Sequence, residues 1–360
     1  MICRPLFVTR KFPPSVGGME TLSAGVWRTL DAASDAQLLA HRGSNRWLAL
    51  WLPAAAARTA WRVVRHRPDV VLCGDAVVHA TLSPILRLLR VSHATMVMGL
   101  DITYDRPLYR HTVVRLLRRA PRVLAISEAT AAAAVAMGVP AERAVVVRLG
   151  VEVPDVDADD RARARAAVLQ RWGLPEDATL LLTLGRLVRR KGALWFTENV
   201  VPATSPRAHY LVAGTGPDAA AIEAAAAANH VGLRVHLLGQ VTTEEREELL
   251  RGSDLFIQAN VPVPGDMEGF GLVTVEAAVR GTPVLASGIE GIRDAVIEGG
   301  TGTLVPAADV DRWIEAVEVA LADPEVLAEQ GRRAREVASA EYSEAAMGRA
   351  LLARLEGLRG

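Results

Sequence analysis

The sequence contains only two cysteines, Cys3 and Cys73, among its 360 residues. Two thiols in separate apolar runs form neither a disulfide framework nor a metal-ligand pattern, so both are interpreted as buried thiols in a reducing compartment. No uninterrupted apolar run approaches the roughly 18 residues of a membrane-spanning helix. The apolar stretch at the amino terminus is too short for a secretory signal and is predicted to be a first strand. These absences predict a cytoplasmic location.

Lysine is nearly absent, because Lys11 and Lys191 are the only two among 41 basic residues, and 41 acidic residues balance the charge. The balance is uneven along the chain. Residues 1–155 carry 20 basic and 11 acidic side chains, whereas residues 156–360 carry 21 and 30. Opposite charge in the two halves favours two domains with different partners. The arginine-rich stretch Arg106–Arg122 is either a solvated helix face or a contact for an anionic membrane surface or acceptor.

Short apolar runs alternate with segments of helical period over most of the chain. This alternation is typical of crossover units in parallel sheets, and it predicts an α/β fold of two Rossmann-like, doubly wound domains. Strands are predicted at Ile2–Thr9, Val70–Cys73, Thr95–Met98, Arg122–Ile126, Val145–Val147, Thr179–Leu184, His209–Ala213, Val235–Leu238, Leu255–Gln258 and Pro283–Ser287. Helices are predicted between them, including Glu20–Leu30, Ala55–His66, Ala76–Leu89, Leu108–Arg119, Glu128–Met137 and the alanine-rich Asp218–Ala228.

The predicted linker between the two domains is Gly150–Asp160, where a proline and four aspartates interrupt the pattern. We therefore expect an amino-terminal domain over residues 1–152 and a carboxy-terminal domain over residues 153–340, facing a central cleft. Helical pattern continues from residue 311 to residue 358 without a further strand. Its end, residues 341–360, is predicted to pack back on the first domain.

Two glutamates, Glu268 and Glu276, stand eight residues apart across a glycine-containing turn. We expect Glu268 in a loop and Glu276 about one turn into the helix that begins at Leu272. Gly269 and Gly271 allow close approach of a ligand, and free amides at a helix start favour a diphosphate. A carboxylate offers two oxygens to the two donors of a diol, so Glu268 is predicted to bind sugar hydroxyls and Glu276 a ribose. Two solvated glutamates at a helix start are the alternative.

Two cations, Arg186 and Lys191, follow the predicted strand Thr179–Leu184. A nucleoside diphosphate that leaves a sugar develops negative charge, which fixed cations stabilise without a metal ion. Arg186 offers a forked contact and Lys191 a point charge. An exposed basic turn, enlarged by Arg189 and Arg190, is the alternative. Considered with the two glutamates, the cations predict a site for a nucleotide sugar and therefore a glycosyltransferase.

Other motifs are less specific. Gly17-Gly18 follows the first predicted strand, and Gly214-Thr-Gly216-Pro217 follows a later one. Both permit close approach to a phosphate, but the second lacks the third glycine of a dinucleotide fingerprint, and Pro217 is predicted to be the first residue of a helix. Three further polar side chains have no metal-ligand spacing and are interpreted as core or surface residues: Asp75, His79 and His93. No metal or cofactor is expected.

In their order and spacing, these segments resemble the retaining glycosyltransferases of family 4, which have the GT-B architecture of two facing Rossmann-like domains. The resemblance covers nearly the whole chain and includes Gly99-Leu-Asp101, Ile126-Ser127-Glu128, Gly239, Gly281-Thr-Pro283-Val284 and Gly302. It implies a UDP- or GDP-linked sugar donor, with Glu268, Arg186 and Lys191 acting in catalysis. The donor-binding residues that it implies are Gly18, Arg186, Lys191, Gly214, Glu268, Gly269, Phe270, Gly271, Leu272 and Glu276.

One position departs from the family pattern. Many relatives have a histidine where this chain has Met98, ahead of Gly99 and Asp101. Methionine is a poor hydrogen-bonding group and carries no titratable proton, so sugar choice or rate is in question, and Met98 and Asp101 are candidate sugar or acceptor contacts. The resemblance implies a glycan or lipid-linked acceptor and no nucleic acid. Peripheral contact of the basic first domain with the inner face of a membrane stays open.

Other functions also stay open at this point. A GT-B sugar-nucleotide epimerase or phosphorylase would use the same architecture, and production of free sugar phosphate would reveal the latter. Met98 is the best support for a non-catalytic nucleotide-sugar-binding subunit of a glycosyltransferase complex, and the presence of Glu268, Arg186 and Lys191 argues against it. An NAD-dependent oxidoreductase is a further alternative, and it requires NAD binding.

Overall fold

The computed structural model describes residues 3–15, 18–99, 107–155 and 159–358. The chain divides into two compact units, one formed by Met1–Glu152 with Tyr342–Gly360 and the other by Val153–Glu341. Each unit is built around one six-stranded sheet in which the paired strands are parallel. None of the helices formed by the described residues is long and apolar enough to cross a bilayer.

The sheet of the first unit has the strand order β2-β1-β3-β4-β5-β6. Its strands are β1 Pro5–Thr9, β2 Gln37–Ala40, β3 Val70–Cys73, β4 His93–Val97, β5 Val123–Ala125 and β6 Ala144–Val146. Its first helices are α1 Gly18–Ala33, α2 Leu48–His66, α3 Ala76–Leu88 and α4 Glu128–Ala136. Between β4 and β5 a helical stretch joins Pro107–Tyr109, the π-helical Arg110–Val114 and Arg115–Leu117.

The sheet of the second unit has the strand order β12-β11-β10-β7-β8-β9. Its strands are β7 Thr179–Leu184, β8 Ala208–Ala213, β9 Val235–Gly239, β10 Leu255–Gln258, β11 Val284–Ser287 and β12 Gly302–Val305. Its helices are α5 Asp160–Trp172, α6 Ala193–Asn199, α7 Ala219–Ala228, α8 Thr243–Gly252, α9 Leu272–Ala278, α10 Ile292–Ala295, α11 Val310–Leu321 and α12 Pro324–Glu341. Phe196 anchors the core, with ring centroids 4.9 Å from Tyr210 and 5.7 Å from Trp313.

The predicted strands are confirmed, and the two cysteines are buried as predicted. Of the four edge strands, β6 and β9 were predicted, whereas β2 and β12, each four residues long, were not. An edge strand is buried less completely than a central one, so it can form without a continuous apolar run. In β12 only Val305 is buried, and a run of one residue carries no pattern.

The predicted helical start at Pro217 is wrong. The helix α7 begins at Ala219, and Asp218 occupies the N-cap position. The chain is held in a turn before it, because the Asp218 amide donates to the Leu187 carbonyl at 3.1 Å. A tertiary contact with another loop therefore decides where this helix begins.

A last helix, α13 Glu344–Glu356, belongs to the first unit and packs on α1. Arg28 of α1 donates its Nε to Glu344 Oε2 at 3.0 Å. The two helices are close at Gly348, where a Cβ would lie 2.1 Å from the methyl group of Thr29. A larger side chain at Gly348 would push the helices apart.

The core of the first unit contains two stacked histidines, His79 of α3 and His93 of β4, with ring centroids 5.6 Å apart. His93 donates Nδ1 to the Val91 carbonyl at 3.0 Å. Neither ring nitrogen of His79 has a hydrogen-bond partner among the described residues. Burial, with the neighbouring His93 and Arg87, lowers the pKa of His79 to about 3. The imidazole of His79 is therefore neutral in the folded protein at neutral pH.

We expect the His79→Phe variant to lose stability less steeply than the wild type as pH falls from about 6.5 to about 4. Below the pKa of the unfolded chain the wild-type imidazole gains its proton only on unfolding, which costs about 1.4 kcal/mol per pH unit. The measurement is the free energy of unfolding in urea as a function of pH. His230→Asn, at an exposed histidine, is the control. Parallel pH curves for wild type and His79→Phe would contradict a neutral buried His79.

Candidate functional site

The two predicted motifs meet at the carboxyl ends of the central strands of the second sheet. β7 lies between β10 and β8, so the chain order reverses between β7 and β10. Such a reversal leaves a crevice beyond the strand ends, where α/β proteins bind ligands. The loop after β7 carries the predicted cations, and the loop after β10 carries Glu268.

Close backbone packing joins these loops. Gly192 has φ of 70°, and a Cβ there would lie 1.7 Å from the Ala259 carbonyl oxygen. The Val261 amide donates to the Arg190 carbonyl at 3.0 Å across the same contact. Gly214, a predicted donor-binding residue, also lies at a close backbone contact. A Cβ at this position would lie 1.8 Å from the Gly185 carbonyl oxygen. A nucleotide contact by Gly214 stays a prediction.

Three donor groups contact one carboxylate oxygen of Glu268. Lys191 Nζ lies 2.6 Å from Glu268 Oε2, Asn260 Nδ2 lies 3.2 Å from it, and Arg190 Nη1 contacts it as well. The hydrogen bonds that the described residues make to this carboxylate all go to Oε2, and none goes to Oε1. Burial opposes ionisation of Glu268, but the charges of Lys191 and Arg190 outweigh it and hold its pKa at about 2. Glu268 is therefore an ionised acceptor with one oxygen fixed and the other open.

Arg190 is a buried cation that joins two carboxylates. It is 4% exposed, and its Nε lies 3.0 Å from Asp266 Oδ1 while its Nη1 contacts Glu268. The backbone of Glu268 is held too, because its amide donates to Glu290 Oε2 at 2.5 Å and its carbonyl accepts from the Gly291 amide at 3.1 Å. Both the side chain and the backbone of Glu268 are thus fixed by residues from three loops.

Glu290 has a left-handed backbone, with φ of 47°, which is uncommon for a residue that carries a Cβ. Burial raises the pKa of its carboxyl group. The raised pKa and the unusual backbone occur at the residue that holds the Glu268 amide, so strain is concentrated beside the candidate site.

The other predicted residues of this unit surround the cluster. Arg186 is exposed and forms no ion pair within the described part of the chain. Phe270 is buried, and Gly271, with φ of 83°, is the N-cap of α9, which begins at Leu272 as predicted. Glu276 lies about one turn into α9, also as predicted, but Arg246 of α8 pairs with it.

Three predicted residues belong to the first unit. Gly18 is the first residue of α1, and no heavy atom lies within 4 Å of the position that its Cβ would take. Met98 directly follows β4 and is half-buried. Asp101 lies outside the described residues. Asp75 caps α3 by accepting from the Val77 amide at 2.8 Å, which agrees with its interpretation as a structural residue.

No sequence motif distinguishes Asn260, Asp266 and Glu290, and from the sequence Arg190 is only one of several arginines in its loop. Arg189 and Arg190 are adjacent and identical, yet only Arg190 is buried. Which one points inward depends on the 3₁₀ turn Arg189–Lys191, and no spacing rule distinguishes them. Within the described residues, no three His, Cys, Asp or Glu side chains cluster as metal ligands.

Two family profiles match the chain, one over each half. Glycosyltransferase family 4 matches residues 29–154, and glycosyl transferases group 1 matches residues 165–337. The chain belongs to the group 1 glycosyltransferases of family 4. The resemblance seen in the sequence motifs is confirmed by these matches.

Curated relatives are similar over part of their length. A D-inositol 3-phosphate glycosyltransferase of Gordonia bronchialis is 31% identical over 228 residues, which cover 61% of this chain and 49% of that protein. An alpha-D-kanosaminyltransferase of Streptomyces kanamyceticus is 30% identical over 213 residues, 58% of this chain and 53% of that protein. The chain spans about half the length of the curated relatives that it matches.

Solved structures share the fold over the whole chain. The Anabaena protein HepE in complex with UDP matches with a TM-score of 0.76 and 17% identity, covering 98% of this chain and 100% of that one. Sucrose-phosphate synthase of Thermosynechococcus elongatus matches with a TM-score of 0.76 and 20% identity, covering 99% of both chains. These likenesses confirm the GT-B fold class that the sequence predicted.

We expect Arg190→Gln to destabilise the protein much more than Arg189→Gln. The first substitution removes a buried cation from two carboxylates, which costs about 3 kcal/mol, whereas an exposed arginine changes stability by about 0.5 kcal/mol or less. Urea unfolding of both variants measures the difference. Equal unfolding midpoints would contradict the structural part assigned to Arg190.

Proposed function

We propose that the chain is a retaining glycosyltransferase that moves a sugar from a UDP- or GDP-linked donor to a glycan, glycolipid or lipid-linked acceptor. Membership of family 4 supports transfer, and the names of both curated relatives describe transferases. A UDP-linked donor is supported by HepE, whose structures include complexes with UDP and with UDP-glucose.

The observation that carries the proposal is the half-open carboxylate of Glu268. Three donors hold Oε2, and no hydrogen bond from a described residue reaches Oε1. With a pKa of about 2, Glu268 is ionised at neutral pH and accepts hydrogen bonds instead of giving up a proton. Oε1 therefore suits a hydroxyl of the donor sugar, and the fixed oxygen keeps the carboxylate oriented.

In this proposal Lys191 also binds the diphosphate of the donor. A donor diphosphate competes for its ammonium, and Arg190 and Asn260 still hold Glu268 when Lys191 changes partner. Arg186, which is exposed, joins Lys191 on the diphosphate. The two cations stabilise the charge that develops on the leaving group, so the proposed reaction needs no metal ion.

The acceptor side of the proposal rests on charge. Basic residues outnumber acidic ones 20 to 11 over residues 1–155. An excess of positive charge attracts phosphate-bearing acceptors and anionic membrane surfaces. The name of the inositol 3-phosphate relative supports an acceptor of the first kind. A lipid-linked acceptor would bring the enzyme to a membrane surface, and the same excess of positive charge suits that surface.

The first experiment measures nucleotide release from a panel of UDP-, GDP-, ADP- and dTDP-sugars. We expect release from one donor, and a loss of about tenfold to a hundredfold in Glu268→Gln, because a charged hydrogen bond contributes about 1.5–3 kcal/mol. Glu244→Gln, at an exposed glutamate of α8, is the matched control. Donor binding without release, even with acceptors added, would favour the non-catalytic subunit. Free sugar phosphate would favour a phosphorylase.

A second experiment tests the part of Lys191. We expect Lys191→Gln to weaken UDP or GDP binding by about tenfold or more, since a charge-assisted contact to the diphosphate is lost. Isothermal titration calorimetry gives the affinity, and Arg189→Gln serves as a control that removes a nearby exposed cation. An affinity unchanged by Lys191→Gln would remove this residue from the donor site.

A further inference from the structure

The helix α2 of the first unit presents an apolar stripe to solvent. Nine large apolar side chains are exposed in the described part of the chain, and four of them lie between positions 47 and 64. Trp47 is 61% exposed, Leu50 67%, Trp61 61% and Val64 66%. Leu50, Trp61 and Val64 lie on one side of α2 together with the exposed Ala57, since they recur at intervals of seven, four and three residues. Trp47, three residues before Leu50, is the N-cap of the helix. We call these five residues the α2 stripe.

The stripe faces away from the sheet. The opposite side of α2 holds its buried residues, Ala55, Ala56, Thr59 and Val63, which pack against the core. Large exposed apolar groups arranged in a continuous row are uncommon on a solvated surface and mark a contact with another phase or molecule.

The segment of the chain that carries the stripe is basic and contains no acid. From residue 36 to residue 68 there is no aspartate or glutamate, and six arginines occur. Arg58 and Arg65 are seven residues apart on α2, and helical geometry puts both along one edge of the stripe. Both are exposed, and neither forms an ion pair with a described residue. Their charges are available to an anionic partner.

We propose that the α2 stripe and its flanking arginines dock on an anionic lipid bilayer, with α2 lying in the interface. This proposal names the surface that would make the membrane contact included in the proposed function, and it rests on that part of the proposed function. Tryptophan has an apolar ring with one polar edge and suits the headgroup boundary, and arginine keeps its charge among the headgroups while its stem stays apolar.

A second copy of the chain fits this surface less well. A two-fold interface would pair this patch with its own copy, so arginines of both copies would gather without an acid from residues 36–68 to neutralise them. The arginine-rich stretch between β4 and β5 also fits less well. Val113, Val114 and Leu117 of that stretch are buried and Leu116 is half-buried, so none of these large apolar side chains is exposed beside the arginines.

The test is sedimentation of the full chain with vesicles of phosphatidylcholine, alone or mixed with about one third phosphatidylglycerol. We expect binding to the anionic vesicles at least tenfold tighter than to the neutral ones, since each basic residue near an anionic surface contributes about 1 kcal/mol. Leu50→Glu with Trp61→Glu, and separately Arg58→Glu with Arg65→Glu, should each weaken binding at least tenfold.

Matched controls lie in the other unit. Leu233→Glu with Val319→Glu places two acids at sites that are 91% and 71% exposed, and Arg207→Glu with Arg312→Glu changes the charge as much as the α2 arginine pair does. We expect both control pairs to bind within about twofold of wild type. Quenching by brominated lipids should fall when Trp47 and Trp61 are replaced by phenylalanine.

Three results would overturn the inference. If the stripe variants still bind anionic vesicles, the membrane contact lies elsewhere, and the rest of the proposed function is unaffected. No vesicle binding by wild type would remove the membrane contact altogether. Dimerisation in ultracentrifugation that Leu50→Glu abolishes would assign the stripe to a second copy. We expect the stripe variants to release nucleotide in lipid-free solution at the wild-type rate. That rate would show that a change in vesicle binding is not caused by loss of the active fold.

Discussion

The ion pairing around Glu268 is the interaction on which the candidate site depends. Arg190 and Lys191 from the loop after β7 and Asn260 after β10 meet on one oxygen of a single carboxylate. A buried carboxylate without such partners would be protonated or displaced, because removal of a charge from water is costly. The pairing therefore decides the charge of Glu268 and the position of its loop together.

Backbone packing makes that pairing possible. The loops after β7, β8 and β10 approach one another at Gly192 and Gly214, where any side chain would collide with a carbonyl oxygen. The parallel sheet brings these loops to one edge, since all its strands run in the same direction. The loops are closely packed at these glycines, whereas the side chain of Arg186 in the same loop is exposed.

The central strands and the position of Glu268 in a loop were predictable, because buried parallel strands are continuous apolar runs between turn residues. The edge strands β2 and β12 were not, since they are short and partly exposed. The burial of Arg190 and its pairing with Glu268 could not be predicted either. Its neighbours Arg189 and Lys191 carry the same charge, and only the turn that they form decides which side chain is buried.

The sequence by itself determined the fold class, the family and the loops that carry the two glutamates and the cations, because apolar period and motif order are local properties of the chain. The tertiary structure decided which groups touch. It paired Glu268 with Lys191 and Arg190, paired Glu276 with Arg246, and left the α2 stripe exposed. Some of these contacts join residues that are far apart in the chain. Others depend on which side of a turn or helix a residue occupies. Sequence spacing alone specifies neither.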